Sequence, residues 1–205
     1  MRAPVSAHPT APAATKPART SWVVRLVVLA GMLLAGVTEG AAAEATKEYQ
    51  VKAAFLLRFI QFVEWPEGSF PAEDVPIRIG ILGEDPFGST LDRVIGGERI
   101  RHHSLTVERA TSVMELRNCQ VIFVAASERD RLREVVAQLP MEGVLTVSDL
   151  EGFAEQGGMI RLFLADKKVR FELNPSVAHK RQLKLSAQLL SLGKIVGPAI
   201  VDGAP

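Results

Sequence analysis

Gln120-Val121-Ile122-Phe123-Val124-Ala125 is a nearly continuous apolar run. Strands that show one wet face alternate apolar and polar residues, whereas a run without alternation reads as a strand buried on both faces, the condition of a parallel sheet covered by helices on each side. Upstream, Pro76-Ile77-Arg78-Ile79-Gly80-Ile81-Leu82 reads as another strand, ending at Gly83. Asp85-Pro86 then opens a helix that runs to Gly96-Gly97, and Leu105 to Arg109 is a short alternating strand. Downstream, Ser127 caps a helix through Ala137, and Val144-Leu145-Thr146-Val147 is the next strand. Asp149 to Gln156 reads as a short helix or loop that Gly157-Gly158 breaks.

The pattern changes after Gly158. Met159–Leu164 and Val169–Leu173 flank Ala165-Asp166-Lys167-Lys168 with hairpin spacing. Asn174 as cap and Pro175 at the first helical position start a final helix. Leu185, Leu189, Leu192 and Val196 fall on one face of it and carry it to about Val196. At the other end, residues 46–64 predict a helix whose wide apolar face holds Phe55, Leu56, Phe59, Ile60, Phe62 and Val63. Pro66 disfavours helix at Trp65. So much phenylalanine needs a cover, either the protein's own sheet or a partner. Strands alternating with helices give an α/β fold: a single domain over residues 44–197, its mostly parallel sheet flanked by helices, with a C-terminal β-hairpin and final helix. Residues 198–205 read as a loose tail.

Residues 1–43 read as an address. An Ala-, Pro- and Thr-rich start leads to Arg25 and the 12-residue apolar run Leu26 to Val37, and small residues follow at Gly40-Ala41-Ala42-Ala43. These are the parts of a cleavable secretory signal, with cleavage expected after Ala43, or after Ala41. The run is shorter than the roughly 20 residues that span a bilayer; an uncleaved anchor, lengthened back to Trp22 with Arg25 in lipid, is the alternative. The whole chain has 205 residues, 24 Lys plus Arg and 23 Asp plus Glu, a net charge of +1. The leader holds four cations (Arg2, Lys16, Arg19, Arg25) and one anion (Glu39), so 20 basic and 22 acidic residues remain beyond it, a net of −2. That balance speaks against a nucleic-acid binder, which shows a basic excess. A periplasmic location follows if the source is a Gram-negative cell.

Motifs of chemistry are missing. The sequence contains neither phosphate-binding glycine pattern, and no nucleophile elbow, so no enzymatic activity and no cofactor is expected. His102-His103 makes a poor metal-chelating pair, because adjacent residues of an extended chain point to opposite faces, and with Arg99 and Arg101 it reads as a solvated basic loop, with a ligand site as the alternative. His179-Lys180-Arg181 reads as a solvated helix face, with anion binding as the alternative. The single cysteine, Cys119, excludes an intrachain disulfide and reads as a small buried residue opening the central strand.

Several segments, in order, carry a resemblance. They are Lys52 to Phe59 leading to Phe62-Val63-Glu64-Trp65-Pro66; Ile79 to Gly83 with Asp85-Pro86-Phe87-Gly88; Cys119 to Val124; Val144 to Asp149; Gly152-Phe153; Gly157 to Ile160; Arg170 to Asn174; and Leu189 to Leu192. Together they resemble the YfiR-like family of periplasmic regulators. The resemblance implies a non-enzymatic α/β protein, commonly a homodimer. It implies a partner, an inner-membrane sensor (a diguanylate cyclase or sensor kinase) whose periplasmic portion is bound and whose signalling is repressed, with effects on cyclic di-GMP and biofilm. The family's paired cysteines have no counterpart here beyond Cys119. It also implies a small-molecule anionic ligand near the end of the first helix and the last helix, where this chain has Glu64-Trp65 and Lys184-Leu185-Ser186. Glu64 would repel phosphate. The candidate partner or ligand surface is therefore Phe55, Phe59, Phe62, Glu64, Trp65, Lys184 and Ser186. The alternatives are a periplasmic small-ligand binding module, since open α/β sheets hold ligands at a strand-end crevice, and a hydrolase using Asp85 or Ser89.

Overall fold

In the computed structural model, which describes residues 44–70, 75–140 and 142–197, helices cover both faces of one sheet. The chain runs from helix α1 (44–62) through β1 (Val63–Glu64), β2 (Ile77–Leu82), α2 (Ser89–Ile95), β3 (Arg99–Ile100) and β4 (His103–Ala110). A 3-10 turn at Val113–Leu116 precedes β5 (Val121–Val124), and another at Ala126–Arg131 precedes α3 (Leu132–Gln138). Then come β6 (Leu145–Ser148), β7 (Ile160–Ala165), β8 (Lys168–Leu173), α4 (Pro175–Lys180), β9 (Lys184–Leu185), α5 (Ala187–Leu192) and β10 (Lys194–Ile195). Among the described residues no helix is long and apolar enough to cross a membrane. The leader and the tail called from sequence lie outside the described residues.

The eight-stranded sheet has the order β10-β8-β7-β6-β5-β2-β4-β3. Its centre, β4-β2-β5-β6-β7, is parallel throughout, which is the 2-1-3-4-5 order of doubly wound α/β proteins. Side-chain alternation sorts the apolar residues into two layers. Ile79, Ile81, Val121, Phe123, Leu145, Val147 and Leu162 join Leu56, Phe59 and Ile60 of α1 in the larger cluster. Leu82, Ile122 and Val124 join Leu116, Leu132, Val135 and Phe153 in the smaller. The phenylalanines of α1 thus find most of their cover on the protein's own sheet.

The hairpin expected from spacing is present, with all six residues of β7 paired to β8 across the two-residue loop Asp166-Lys167. Both loop residues have positive φ, 49° and 60°, which gives the type I′ turn that suits twisted strands. The mostly parallel sheet is likewise present. Three local expectations change. The helix expected from Asp85 starts at Ser89, because the Asp85 carboxylate instead accepts the Phe87 amide at 2.7 Å and closes a turn. Ser127 does not cap a helix; its hydroxyl accepts the Glu84 amide at 2.9 Å. The final helix is not continuous to Val196. Arg181 ends α4, Gln182 turns with φ 61°, and Lys184–Leu185 is captured as a strand by Glu64 and Val63. Ser186 then caps α5, its hydroxyl accepting the Leu189 amide at 3.2 Å.

Candidate functional site

Doubly wound sheets hold ligands at the C-terminal strand ends where the order reverses, here between β2 and β5. That crevice is filled from within. Gly83 follows β2 with φ 91°, and a Cβ there would lie 2.3 Å from Ser127 Oγ and 2.6 Å from Glu128 Oε1. Glu128 is buried and accepts Arg131 Nε at 2.6 Å, while Arg131 also donates to the Thr111 carbonyl. On the α1 side, Phe87 stacks edge-on against Phe123 and Tyr49. Asp85, one candidate for hydrolysis, is spent on the Phe87 amide and on Arg109 Nε at 2.7 Å; Ser89 is the exposed first residue of α2.

The start of α1 is fastened over the same edge. Asp149, just after β6, accepts the Tyr49 hydroxyl and Lys52 Nζ on one oxygen, each at 2.7 Å. Lys52 is buried and also pairs with Glu48 at 2.6 Å. Burial, followed by the bond to Asp149, raises the Tyr49 pKa well above that of a free phenol.

An open cleft lies where α1 ends. Strand propensity at Val63-Glu64 and the proline at 66 stop the helix, and β1 pairs antiparallel with β9, Val63 with Leu185 and Glu64 with Lys184. The Ser186 amide donates to the Phe62 carbonyl at 3.1 Å. Beside this clasp is a cleft of about 520 Å³ whose lining includes Glu64, Trp65, Glu67, His179, Gln182 and Lys184. Trp65 is half-buried and rests edge-on against Phe70, which stacks on His103 at 4.8 Å. His103 is buried and its Nδ1 lies 2.8 Å from the Val75 carbonyl. It is therefore a core residue and no part of a solvated loop; the contact with residue 75 is long-range and left no local trace. Two carboxylates against one lysine suit a small ring compound with a cationic group better than a phosphate. A second cleft of about 580 Å³ continues from it past Arg78 and Arg117 to Cys119. Cys119 is buried, and burial and the Glu108 carboxylate push its thiol up to about 12, so it is unreactive.

The seven candidate residues fall into two groups. Glu64, Trp65 and Lys184 line the cleft, with Ser186 in the clasp. Phe55 and Phe59 stand about two turns and about one turn back from the end of the helix, their rings 5.6 and 5.2 Å from Phe171 of β8. Phe59 is 1 % exposed and offers no surface; Phe55 and Phe62 are half-buried. The sequence reading gave His179 only an alternative anion-binding role on a helix face, and it missed Gln182 and the Tyr49–Lys52–Asp149 cluster. Asp149 had one signal, a carboxylate placed directly after a strand. Among the described residues no cluster of His, Cys, Asp and Glu could hold a metal.

Residues 49–194 match a family model described as YfiR/HmsC-like. Comparison with curated proteins found no match. Solved structures with partial likeness include a conserved domain protein from Vibrio cholerae O1 biovar El Tor strain N16961, at 8 % identity and a TM-score of 0.44, covering 59 % of this chain and 55 % of that one. Another is the ABC domain in complex with L-Trp from Streptococcus pneumonia, at 10 % identity and a TM-score of 0.43, covering 58 % and 55 %. The matched part spans a little over half the length of each.

Proposed function

This chain belongs to the YfiR/HmsC-like family, whose members are periplasmic regulatory proteins, and from that premise we propose that it is an exported, non-enzymatic regulator that docks on the periplasmic part of an inner-membrane sensor and represses its signalling. The family match carries the reading, since it spans α1, the clasp and the hairpin alike. The exposed flank of α1 supports it: Val51 is 44 % exposed, with Phe55 and Phe62 half-buried beside the core, and apolar anchors dominate protein interfaces. Docking would act by differential affinity for the sensor's inactive state, each tenfold preference contributing about 1.4 kcal/mol. With a cyclase as the sensor, deleting the chain raises cyclic di-GMP, and restoring it in the periplasm lowers the level again. Unchanged cyclic di-GMP after deletion, with the cognate sensor intact, would overturn the cyclase reading.

The 520 Å³ cleft favours a second reading, a small-ligand binding module. A thermal-shift screen with nucleotides and amino acids tests it. A ligand of this site raises the midpoint of the parent chain and not of Trp65→Ala; no shift from any compound counts against it.

A further inference from the structure

The end of the sheet opposite β3 carries features that neither cleft uses. β8 pairs along its whole length with β7, but β10 pairs with it only at Glu172 and Leu173. Among the described residues, no strand lies beside Lys168–Phe171 on that flank. Such an edge presents main-chain donors and acceptors to any extended chain.

The side chains around this edge have a definite character. On the face turned from α1, Arg161 stands opposite Glu172, Phe163 opposite Arg170, and Ala165 opposite Lys168. Lys167 at the turn and Lys194 of β10 complete a patch of five cations against Asp166 and Glu172, on a domain whose residues beyond the leader sum to −2. Glu172 is already bound by Arg161 and Lys194, at 3.0 and 2.9 Å, so Lys168 and Arg170 face outward without it. On the other face of β8, Val169 is apolar and half-buried, while Phe171 is buried beneath α1. Three of the five large apolar side chains most exposed among the described residues, Leu164 (52 %), Leu192 (69 %) and Ile195 (44 %), belong to β7, the end of α5 and β10.

A second copy does not fit this edge. Two-fold pairing of β8 with itself sets the same strand against itself, bringing Lys168 and Arg170 of one copy against those of the other, and like charges directly across a ladder destabilise it. A strand placed there meets lysine and arginine on one face and, on the other, Val169 with the exposed Leu164 beside it.

We propose that the free edge of β8, with its cationic and apolar faces, docks an extended segment of a partner protein in which acidic and apolar residues alternate. The inference rests on the regulatory reading only for the identity of that partner; the surface is read from the sheet. The test uses the purified chain and a fluorescent ten-residue peptide of alternating Glu and Val, compared with a Lys-Val peptide and with vesicles of phosphatidylethanolamine and phosphatidylglycerol. The parent chain binds the Glu-Val peptide, less tightly as salt rises, and does not bind the Lys-Val peptide. The double variant K168E/R170E reverses that preference by tenfold or more, while Arg133→Glu on α3 changes nothing. Reversal of preference cannot come from unfolding. Equal binding of both peptides, or of neither, overturns the proposal and leaves the lysines as guards against edge pairing. Vesicle binding that the Glu-Val peptide fails to compete assigns the patch to a membrane surface, and a dimer lost in K168E/R170E assigns it to a second copy; both overturn it. Unchanged cyclic di-GMP on deletion would overturn the cyclase reading and leave this surface standing.

Discussion

Glu172→Gln tests what holds the hairpin and the C-terminal strand together. The Glu172 side chain is 5 % exposed and joins three strands, accepting Arg161 Nη1 of β7 at 3.0 Å and Lys194 Nζ of β10 at 2.9 Å. Arg161 is 18 % exposed, and its Nε is buried with no hydrogen-bond partner. Removing the carboxylate charge leaves that guanidinium largely buried beside a neutral amide. Breaking a fully buried pair costs about 3–5 kcal/mol; the partial exposure of Arg161 brings the expected loss to about 2–4 kcal/mol. Lys194→Ala removes only the partner that is 68 % exposed and costs about 0.2–1 kcal/mol. In the double variant Glu172→Gln, Arg161→Met neither charge is buried, so most of the loss returns. Burial alone would raise the Glu172 pKa, but the bonds from Lys194 and Arg161 prevail and hold it below the usual 4.5. A carboxylate lowered in the folded state stabilises above its unfolded pKa, and that contribution fades as pH falls through the folded value. Urea unfolding at pH 7 and below 4.5 therefore shows a large difference between parent and Glu172→Gln that narrows in acid. A loss under 0.5 kcal/mol, or one no larger than that of Lys194→Ala, refutes the reasoning.

Tyr49 is the sole tyrosine, so its ionisation can be followed by phenolate absorbance. In the folded chain it appears well above pH 10, and Asp149→Asn brings it down; because the folded pKa is raised, its contribution is complete below pH 10 and is lost as pH rises further. Lys167→Gly relieves a side chain held at φ 60° in the hairpin loop and stabilises by about 0.5 kcal/mol in urea. Ser186→Ala removes the cap of α5 and costs about 0.5–2 kcal/mol, seen as faster hydrogen exchange at the Leu189 amide. Cys119 stays unlabelled by a thiol reagent at pH 8 until urea unfolds the chain; labelling of the native chain would contradict its burial.

Much of this fold could be read from the chain because its decisive strands are locally distinctive. Gln120 to Ala125 and Pro76 to Leu82 have no helical alternative of adequate length, and each lies within one residue of its observed strand. The hairpin followed from loop spacing alone. The last helix did not, because Leu185, Leu189, Leu192 and Val196 satisfy a helical period while only Leu189 is buried. The period there is a by-product of a strand, a six-residue helix and another strand in succession. Ser186 was a readable cap, and Gly193 a readable break: a Cβ at 193 would come within 2.5 Å of the Phe171 ring. The cleft was legible in part, since Glu64, Trp65 and Lys184 came from the resemblance. His179 and Gln182 were not, because they reach it only through the turn that broke the expected helix.

The closing of the strand-end crevice bears on where function sits. In a doubly wound sheet the reversal point is the default ligand site, yet here Phe87 fills it from one face and Ser127, Glu128 and Arg131 from the other. A ligand there would have to displace an aromatic core residue and the buried Glu128 carboxylate that Arg131 holds. The open surfaces lie elsewhere, at the clasp and along β8, and one stretch of chain serves both. His179, Gln182, Leu183 and Lys184 line the cleft, Ser186 caps the short helix that follows, and Lys194–Ile195 then pair with Glu172 and Leu173, immediately beside the free part of β8. The Val196 amide secures that end by donating to the Leu173 carbonyl at 2.8 Å. Nine residues thus separate a cleft-lining lysine at 184 from the lysine at 194 that completes the Glu172 network. A compound bound at the clasp would sit one capped helix away from the strand bordering the proposed docking edge, and a change in Glu-Val peptide affinity on its addition is the measurement that would show the two surfaces to be coupled.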